Sequence, residues 1–263
     1  MALDHEGHIV VADAINHRLQ VIRLRDGACL RTIGSYGSGA GQFNQPYGVA
    51  LDDDGNIIVT EWSNHRVQVL CYNDGSHLRT IGSHGCGNGQ FVGPCSVAVD
   101  GSGNMLVHDG AFNGRIQVFR VSDGAYVRSM CSPGSGPGQL SDCGSIAFWQ
   151  GTVIVSDGCN HRVQVLRYSD AALLRTIGSE GVGACKFDYP LGVAVDGAGN
   201  IVVADGNNHQ VQVLRLCDGS HVRTIGSKGS GNGQFNSPWG VVIDGQGRII
   251  VSDSWNHRIQ VLQ

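Results

Sequence analysis

Lysine is almost missing from this chain: Lys186 and Lys228 are the only two, and Lys and Arg together number 18 against 22 Asp and Glu. With a net charge of -4 there is no clustered positive surface to neutralise a nucleic-acid backbone, which disfavours RNA as a ligand. No apolar run is long enough to span a bilayer, and the opening MALDHEGHIV has neither a basic leader nor an extended apolar stretch. The expectation is a soluble, non-secreted protein without membrane contact. The nine cysteines are odd in number, contain no C-x-x-C pair and fall at different places in the pattern described below, which excludes a disulfide framework and a structural zinc site. Reduced, separately placed thiols fit a cytoplasmic address. No G-x-S-x-G or H-E-x-x-H is present, and the glycine series around Gly37 and Gly229 precede strands rather than the helix N-terminus that a phosphate-binding loop requires.

What is present is repetition. Asp13, Glu61, Asp109, Asp157, Asp205 and Asp253 follow one another at intervals of 48 residues. Similar text surrounds them: IVVADAINHRLQV at 9 to 21, IIVTEWSNHRVQV at 57 to 69, VIVSDGCNHRVQV at 153 to 165, IVVADGNNHQVQV at 201 to 213 and IIVSDSWNHRIQV at 249 to 261. The third copy, MLVHDGAFNGRIQV at 105 to 118, carries one additional residue and lacks the His. A period of this length signals an array of like supersecondary units. The 40 glycines recur in register between Val- and Ile-rich runs, so they punctuate strands rather than mark disorder.

Each unit reads as four short strands, A to D, exemplified by 47–52, 56–61, 66–72 and 77–82. Asp-Gly pairs in the A–B and C–D links supply the positive φ of tight turns, so neighbouring strands are antiparallel. The longer D–A link is rich in glycine and ends on an apolar anchor, Phe43, Phe91, Leu140, Phe187 or Phe235. Copy four departs from the pattern, with Cys143 where the others have Pro and a shortened A–B turn through Trp149 to Gly151. Strands apolar on both faces must pack sheet against sheet, and radial closure limits exposed edges. The expectation is an all-β, six-bladed β-propeller of four-stranded antiparallel blades, one domain over 1–263 with units 1–46, 47–94, 95–143, 144–190, 191–238 and 239–263. The last unit lacks strand D, leaving an open blade edge through which oligomerisation is conceivable.

The Asp, Asn-His-Arg and Val-Gln-Val sequence, together with the GVAVD and GQF-x-x-P-x-G elements, resembles the NHL-repeat family over essentially the whole chain. The resemblance implies a propeller used mainly as a binding platform, for proteins or, in some members, single-stranded RNA. Six-bladed propellers of similar outline include lactonases and lyases with metals on the axis. This chain has no asymmetric His, Glu and Asp set for such chemistry, so the expectation is a non-catalytic scaffold with no cofactor and no metal. An RNA-binding propeller and an axial-metal enzyme are the alternatives.

Within the repeat, His17, His65, His161, His209 and His257 lie on separate units and cannot share one ion. Asn, His and Arg are expected to brace the B–C turn, with the repeated carboxylate accepting their hydrogen bonds. Gln20, Gln68, Gln117, Gln164, Gln212 and Gln260 are expected to satisfy backbone groups between blades. Arg31, Arg79, Arg128, Arg175 and Arg223 on strand D are expected to stay solvated. A binding face must break the symmetry, and the positions that differ most open strand A or follow the carboxylate. Ala14, Gly110, Ala111 and Gly158 occupy such positions without bulk, whereas Ile15, Tyr47, Trp62, Trp239 and Trp255 are large and apolar. These five are expected to form one partner-binding sector for a protein or peptide.

Overall fold

A computed structural model describes residues 1–110, 112–141 and 144–263; Ala111 and Cys143, singled out above, lie outside the described residues. The chain is all-β and has the blades of a six-bladed β-propeller, five of them four-stranded and the last three-stranded. Two compact units divide it, Met1–Pro133 and Gly134–Gln263, with three consecutive blades in each. Among the described residues no helix is long and apolar enough to cross a membrane, and none of the eight described cysteines is in a disulfide.

Blade two shows the plan. Strand A (Pro46–Leu51), strand B (Ile57–Glu61), strand C (Arg66–Leu70) and strand D (His77–Ile81) form an antiparallel meander. Gly55 and Gly75 take positive φ in the two tight links, as the Asp-Gly signals require. In blade four the shortened A–B turn pairs Trp149 with Thr152 directly. Gln150 and Gly151 both take positive φ there, the conformation of a two-residue hairpin loop that follows right-handed strand twist. Blade six ends on strand C (Arg258–Leu262), whose residues are less covered than those of Arg162–Arg167 in blade four.

The runs of β-branched residues in strand B follow from burial on both faces. In the first unit, Ile57 and Val59 face Val10, Leu19 and Val21 of blade one, whereas Ile58 faces Val97, Met105 and Val107 of blade three. The second unit repeats this: Ile201 and Val203 pack with Ile154, Val163 and Val165, and Val202 packs with Val241, Ile249 and Val251. The expected anchors Phe43, Phe91, Leu140, Phe187 and Phe235 are fully buried. Each phenylalanine ring lies over the glycine that ends strand D. A Cβ on Gly82, for instance, would stand 2.3 Å from the Phe91 ring. Where the anchor is the smaller Leu140, a side chain is accommodated at the corresponding place, and Cys131 sits there with φ of 67°.

Gly82→Ala therefore carries two penalties, a left-handed backbone and a ring clash, and should cost about 3 kcal/mol. Gly89→Ala has the same backbone penalty but open space around its Cβ, and should cost about 1 kcal/mol. Thermal melts of the two variants check the difference; equal loss would mean that the ring contact is not a packing constraint.

Candidate functional site

Strand B of every blade ends on the repeated carboxylate, and strand C begins five residues later, or six in blade three. Pairing places Asp157 opposite Arg162 and Val155 opposite Gln164, so carboxylate, arginine and glutamine share one face of the hairpin. Arg162 Nε donates to Asp157 Oδ2 at 2.8 Å, and Asn160 Nδ2 donates to the same oxygen at 2.9 Å. Gln164 Nε2 also donates to it, at 3.3 Å. A further donor comes from the incoming D–A loop: the backbone N–H of Ser141 reaches Asp157 Oδ1 at 2.9 Å. Equivalent loop amides reach Glu61, Asp109, Asp205 and Asp253 from Asn44, Val92, Asp188 and Asn236. Each of these five carboxylates is fully buried.

The arginine holds the loop as well. In blade two Arg66 Nη1 donates to Ser38 O at 2.7 Å, and its Nη2 donates to Gly39 O and Gln42 O at 2.9 and 3.0 Å. Gln68 completes the clamp, donating to Gln42 O at 2.8 Å and accepting from Gly41 N at 2.9 Å. The glutamines thus satisfy loop backbone, as expected from sequence. Blade five varies the scheme: Gln210 replaces Arg, and the loop carries Lys186 where the others have Gln. An arginine beside that lysine would set two cations together, and Gln210 Nε2 keeps the bond to Asp205 at 2.9 Å. Burial pushes the Asp109 and Asp205 carboxyls above the ordinary range. At Asp253 burial acts in the same direction, but the bonds from Asn236, Asn256 and Arg258 outweigh it and hold the group below that range.

The histidine has a role that sequence reasoning missed. His17, His65, His161, His209 and His257 all adopt left-handed backbone, with φ of 52 to 55°. In blade three Gly114 occupies this place with φ of 48°, which explains how that copy dispenses with His. Nδ1 of the ring does not brace its own turn but accepts a backbone N–H from the entry to the next blade. Gln45 N reaches His17 at 3.1 Å, Gly93 N reaches His65 at 3.3 Å, Tyr189 N reaches His161 at 3.2 Å and Ser237 N reaches His209 at 3.0 Å. Burial lowers the affinity of His65 and His209 for a proton; neighbouring His84 and Lys228 add to the effect.

Three of the strand-D arginines are engaged rather than merely solvated, whereas Arg223 is exposed as expected. Arg31 donates to the carbonyls of Tyr72 and Asn73, Arg79 to Val121 O, and Arg175 to Asp218 O and Cys217 O, each on the C–D turn of the following blade. A grouping of Asp4, Glu6 and His8 has the composition of a metal site. It is the A–B turn itself: Asp4 Oδ1 accepts from Glu6 N and His8 N, and Asp52, Asp196 and Asp244 hold the same turn in blades two, five and six.

Among the apolar candidates, Tyr47 and Trp62 come together with ring centroids 5.6 Å apart. Trp62 N also donates to Gln45 O, tying the B–C turn to the entry of strand A. Ile15, on the preceding blade's B–C turn, is 85% exposed. In the second unit Trp239 is 40% and Trp255 71% exposed, and Trp255 N donates to Asn236 O. Two exposed aromatics were not foreseen. Tyr36 packs edge-on against His17 with ring centroids 4.8 Å apart and is 67% exposed, and Phe112 is 92% exposed at positive φ. Tyr36 occupies a loop position filled by His84, Pro133, Glu180 and Lys228 in other copies. That variability was the signal that could have found it.

Asp205→Ala would strip a fully buried acceptor from Asn208, Gln210, Gln212 and the Asp188 amide. A loss of roughly 3 kcal/mol is expected from the donors left unpaired, read as a lower Tm; an unchanged melt would remove the carboxylate from its bracing role. For His65 and His209 the lowered proton affinity means that the unfolded chain takes up protons first, as pH falls below the ordinary value of 6.5. Their stabilisation is complete above 6.5 and declines with acidification below it. Tm between pH 7.5 and 5.5 should fall less steeply in a His65→Asn, His209→Asn double variant, because Asn tolerates the left-handed backbone and does not titrate.

The NHL repeat family matches residues 43–70, 140–166, 187–214 and 235–262. No curated protein matches the chain. Among solved structures, a protein of unknown function from Bacteroides thetaiotaomicron VPI-5482 superposes with a TM-score of 0.71 at 20% identity, covering 97% of this chain and 66% of its own. Hydrazine synthase of Kuenenia stuttgartiensis gives 0.69 at 12% identity, covering 100% and 82%. A chain of a nidogen/laminin complex gives 0.68 at 20% identity, covering 85% and 77%. These likenesses speak for the fold alone. With the carboxylate, Asn-His-Arg and Gln positions accounted for in geometry, the chain carries NHL repeats, four of them matched in sequence, on the blades of a six-bladed β-propeller.

Proposed function

We propose that this protein is a non-catalytic binding scaffold that engages a protein or peptide partner through aromatic residues on its B–C turns and strand-A entries. The observation that carries the reading is a division of labour. Groups that repeat are consumed by the fold: the buried carboxylates, the clamp arginines Arg66, Arg115, Arg162 and Arg258, and Gln68, Gln117, Gln164, Gln212 and Gln260 hold loop backbone. Groups that do not repeat present apolar area instead. In the first unit these are Ile15, Tyr36 and the Tyr47–Trp62 pair; in the second they are Trp239 and Trp255. Rigid aromatics on a fixed frame are the residue types that dominate binding energy at protein interfaces.

Two features weigh against the alternatives. Arg31, Arg66, Arg79, Arg115, Arg162, Arg175 and Arg258 donate to loop or turn carbonyls, and Arg18, Arg23, Arg120, Arg167 and Arg248 to carboxylates, so RNA binding would have few free cations to draw on. Titratable groups with perturbed proton affinity, such as Asp109 and Asp205, are enclosed by structural donors rather than facing a cleft, which disfavours acid–base or metal chemistry. A cytoplasmic setting and association through the open edge of blade six remain part of the proposal.

Trp62→Ala and Trp255→Ala, alone and combined, test the reading. Bound partner chains recovered on the immobilised protein should drop about tenfold or more in affinity, as for hot-spot truncations, at unchanged Tm. Undiminished binding by both variants would move the contact surface elsewhere, and binding that collapses between 50 and 200 mM salt would favour the nucleic-acid reading.

A further inference from the structure

Both lysines of the chain stand on consecutive loops of the second unit, and one of them is tied down. Lys186 Nζ donates to Ser179 Oγ at 2.6 Å. Lys228, on the loop entering blade six, is exposed and its ammonium makes no hydrogen bond or ion pair among the described residues. Its backbone is nonetheless fixed: Phe235 N donates to Ser227 O at 2.9 Å and Gly229 N to Phe235 O at 3.0 Å, one on each side of the lysine. Other loops place Tyr36, His84, Pro133 and Glu180 at this position, so blade six alone presents an ammonium there.

Bonds of the frame gather aromatic residues around it. Asn256 Nδ2 donates to Gly229 O at 2.9 Å, which sets the turn bearing Trp255 beside Lys228. Trp255 N donates to Asn236 O at 3.1 Å and Ser237 N to His209 Nδ1 at 3.0 Å, so the strand-A entry that carries Trp239 is fastened both to that turn and to the His209 ring. Lys228 in turn lies near enough to His209 for its charge to oppose proton uptake there. Lys228, His209, Trp239 and Trp255 thus share one sector of the rim.

The hydrogen-bonding chemistry of this sector is one-sided. Because His209 Nδ1 accepts the Ser237 amide, the neutral ring carries its proton on Nε2 and is a donor there. The Trp255 indole, 71% exposed, is a donor only. Loop carbonyls that would offset these donors are taken: Ser230 O, Gly231 O and Gln234 O by Arg258, Gly229 O by Asn256 and Asn236 O by Trp255 N. Asp205 and Asp253 are fully buried among their own donors. The sector therefore couples apolar area to an uncompensated cation.

We propose that this blade-six sector binds an acidic segment of a partner protein, with an Asp or Glu side chain on Lys228 and a neighbouring apolar side chain against Trp239 and Trp255. The proposal rests on the reading of the aromatic rim as a contact surface and names the chemistry of what it contacts. A neutral segment would cover the ammonium without pairing it, whereas a carboxylate keeps it satisfied as water leaves. A lone cation is too little to hold a polyphosphate backbone, which favours a peptide over a nucleic acid. The preceding loop sets the register, because the exposed Glu180 stands there in the place of Lys228 and repels the acidic residue toward blade six.

The test is titration of the isotope-labelled full chain with the acetylated and amidated peptides GSELFSG, GSQLFSG and GSKLFSG, read at the indole N–H resonances of its 4 tryptophans. Saturable shifts at Trp239 and Trp255 are expected, with the Glu peptide binding about threefold more tightly than the Gln peptide and about tenfold more tightly than the Lys peptide. High salt should erase that order, and Lys228→Glu should invert it. The peptide exchanges leave the protein's folding untouched. Equal affinity for the three peptides, with both indoles still shifting, would overturn the acidic assignment and leave the aromatic contact surface standing; indoles unmoved by every peptide would remove both. An oligouridylate that shifts these indoles at lower concentration than the Glu peptide would replace the peptide by a nucleic acid.

Discussion

A charge enclosed at the end of strand B organises each blade. Removing a carboxylate from water is costly unless several donors converge on it, and here the donors are drawn from three places in the chain. Asn and Arg come from the turn and strand that follow, Gln from two residues further on, and the last from the backbone of the loop arriving from the preceding blade. Because that last donor is not local, the carboxylate couples neighbouring blades as well as closing its own hairpin. The raised proton affinity at Asp109 and Asp205 shows that burial outweighs the surrounding donors there. Relative to an apolar replacement of the whole cluster such a group adds little net stability, although removing it alone strands its donors. What it adds is register, since no other alignment of loop and hairpin brings the donors together.

Departures from the repeat are compensated within a few ångströms, and this is what distinguishes them from damage. Cys131 stands at a left-handed position that is glycine in its equivalents, and the ring that would strike it is replaced by Leu140. Gln210 stands for arginine where the loop brings Lys186. Gly114 stands for His at the left-handed residue of the turn, the one site in the motif where glycine is the conformationally natural choice. Each pair is a local rule broken on one side and repaired on the other, so the hydrogen-bonding frame stays uniform while the surface varies.

Much of this frame was legible in the sequence because it depends on period. The 48-residue spacing, the paired Asp-Gly turns and the apolar anchors placed strands A to D within a residue or two of where they lie. The carboxylate-centred bracing followed from the motif as well, since Arg162 and Gln164 fall on the face of Asp157 by strand alternation alone. What could not be read was the direction of side chains whose partners come from another blade. His17, His65, His161 and His209 were assigned to their own turn but reach forward to the next blade, and Arg31, Arg79 and Arg175 were assigned to solvent but cap carbonyls of a neighbouring turn. Tyr36 and Phe112 were passed over for a different reason: one sits in a loop that reads as a linker, the other in an insertion that reads as an irregularity.

The same separation between frame and surface bears on where function can reside. A side chain that satisfies a buried carboxylate or a loop carbonyl cannot exchange that partner for a ligand without leaving polar groups unpaired in the interior. Recognition is therefore confined to positions the frame does not use, and in a repeat these are the positions where copies disagree. Ile15, Trp62 and Trp255 follow the carboxylate, while Tyr47 and Trp239 open strand A. Ile15, Tyr47, Trp62 and Trp239 project from backbone that the repeat holds through the carboxylate on one side and the His-to-amide bond on the other, and Trp255 from backbone held through Asp253. Ordering such residues on association costs little conformational entropy, because the frame has already ordered them. An aromatic residue placed there contributes its buried area to a complex nearly undiminished, which is why a fold with so few free charges can still serve recognition.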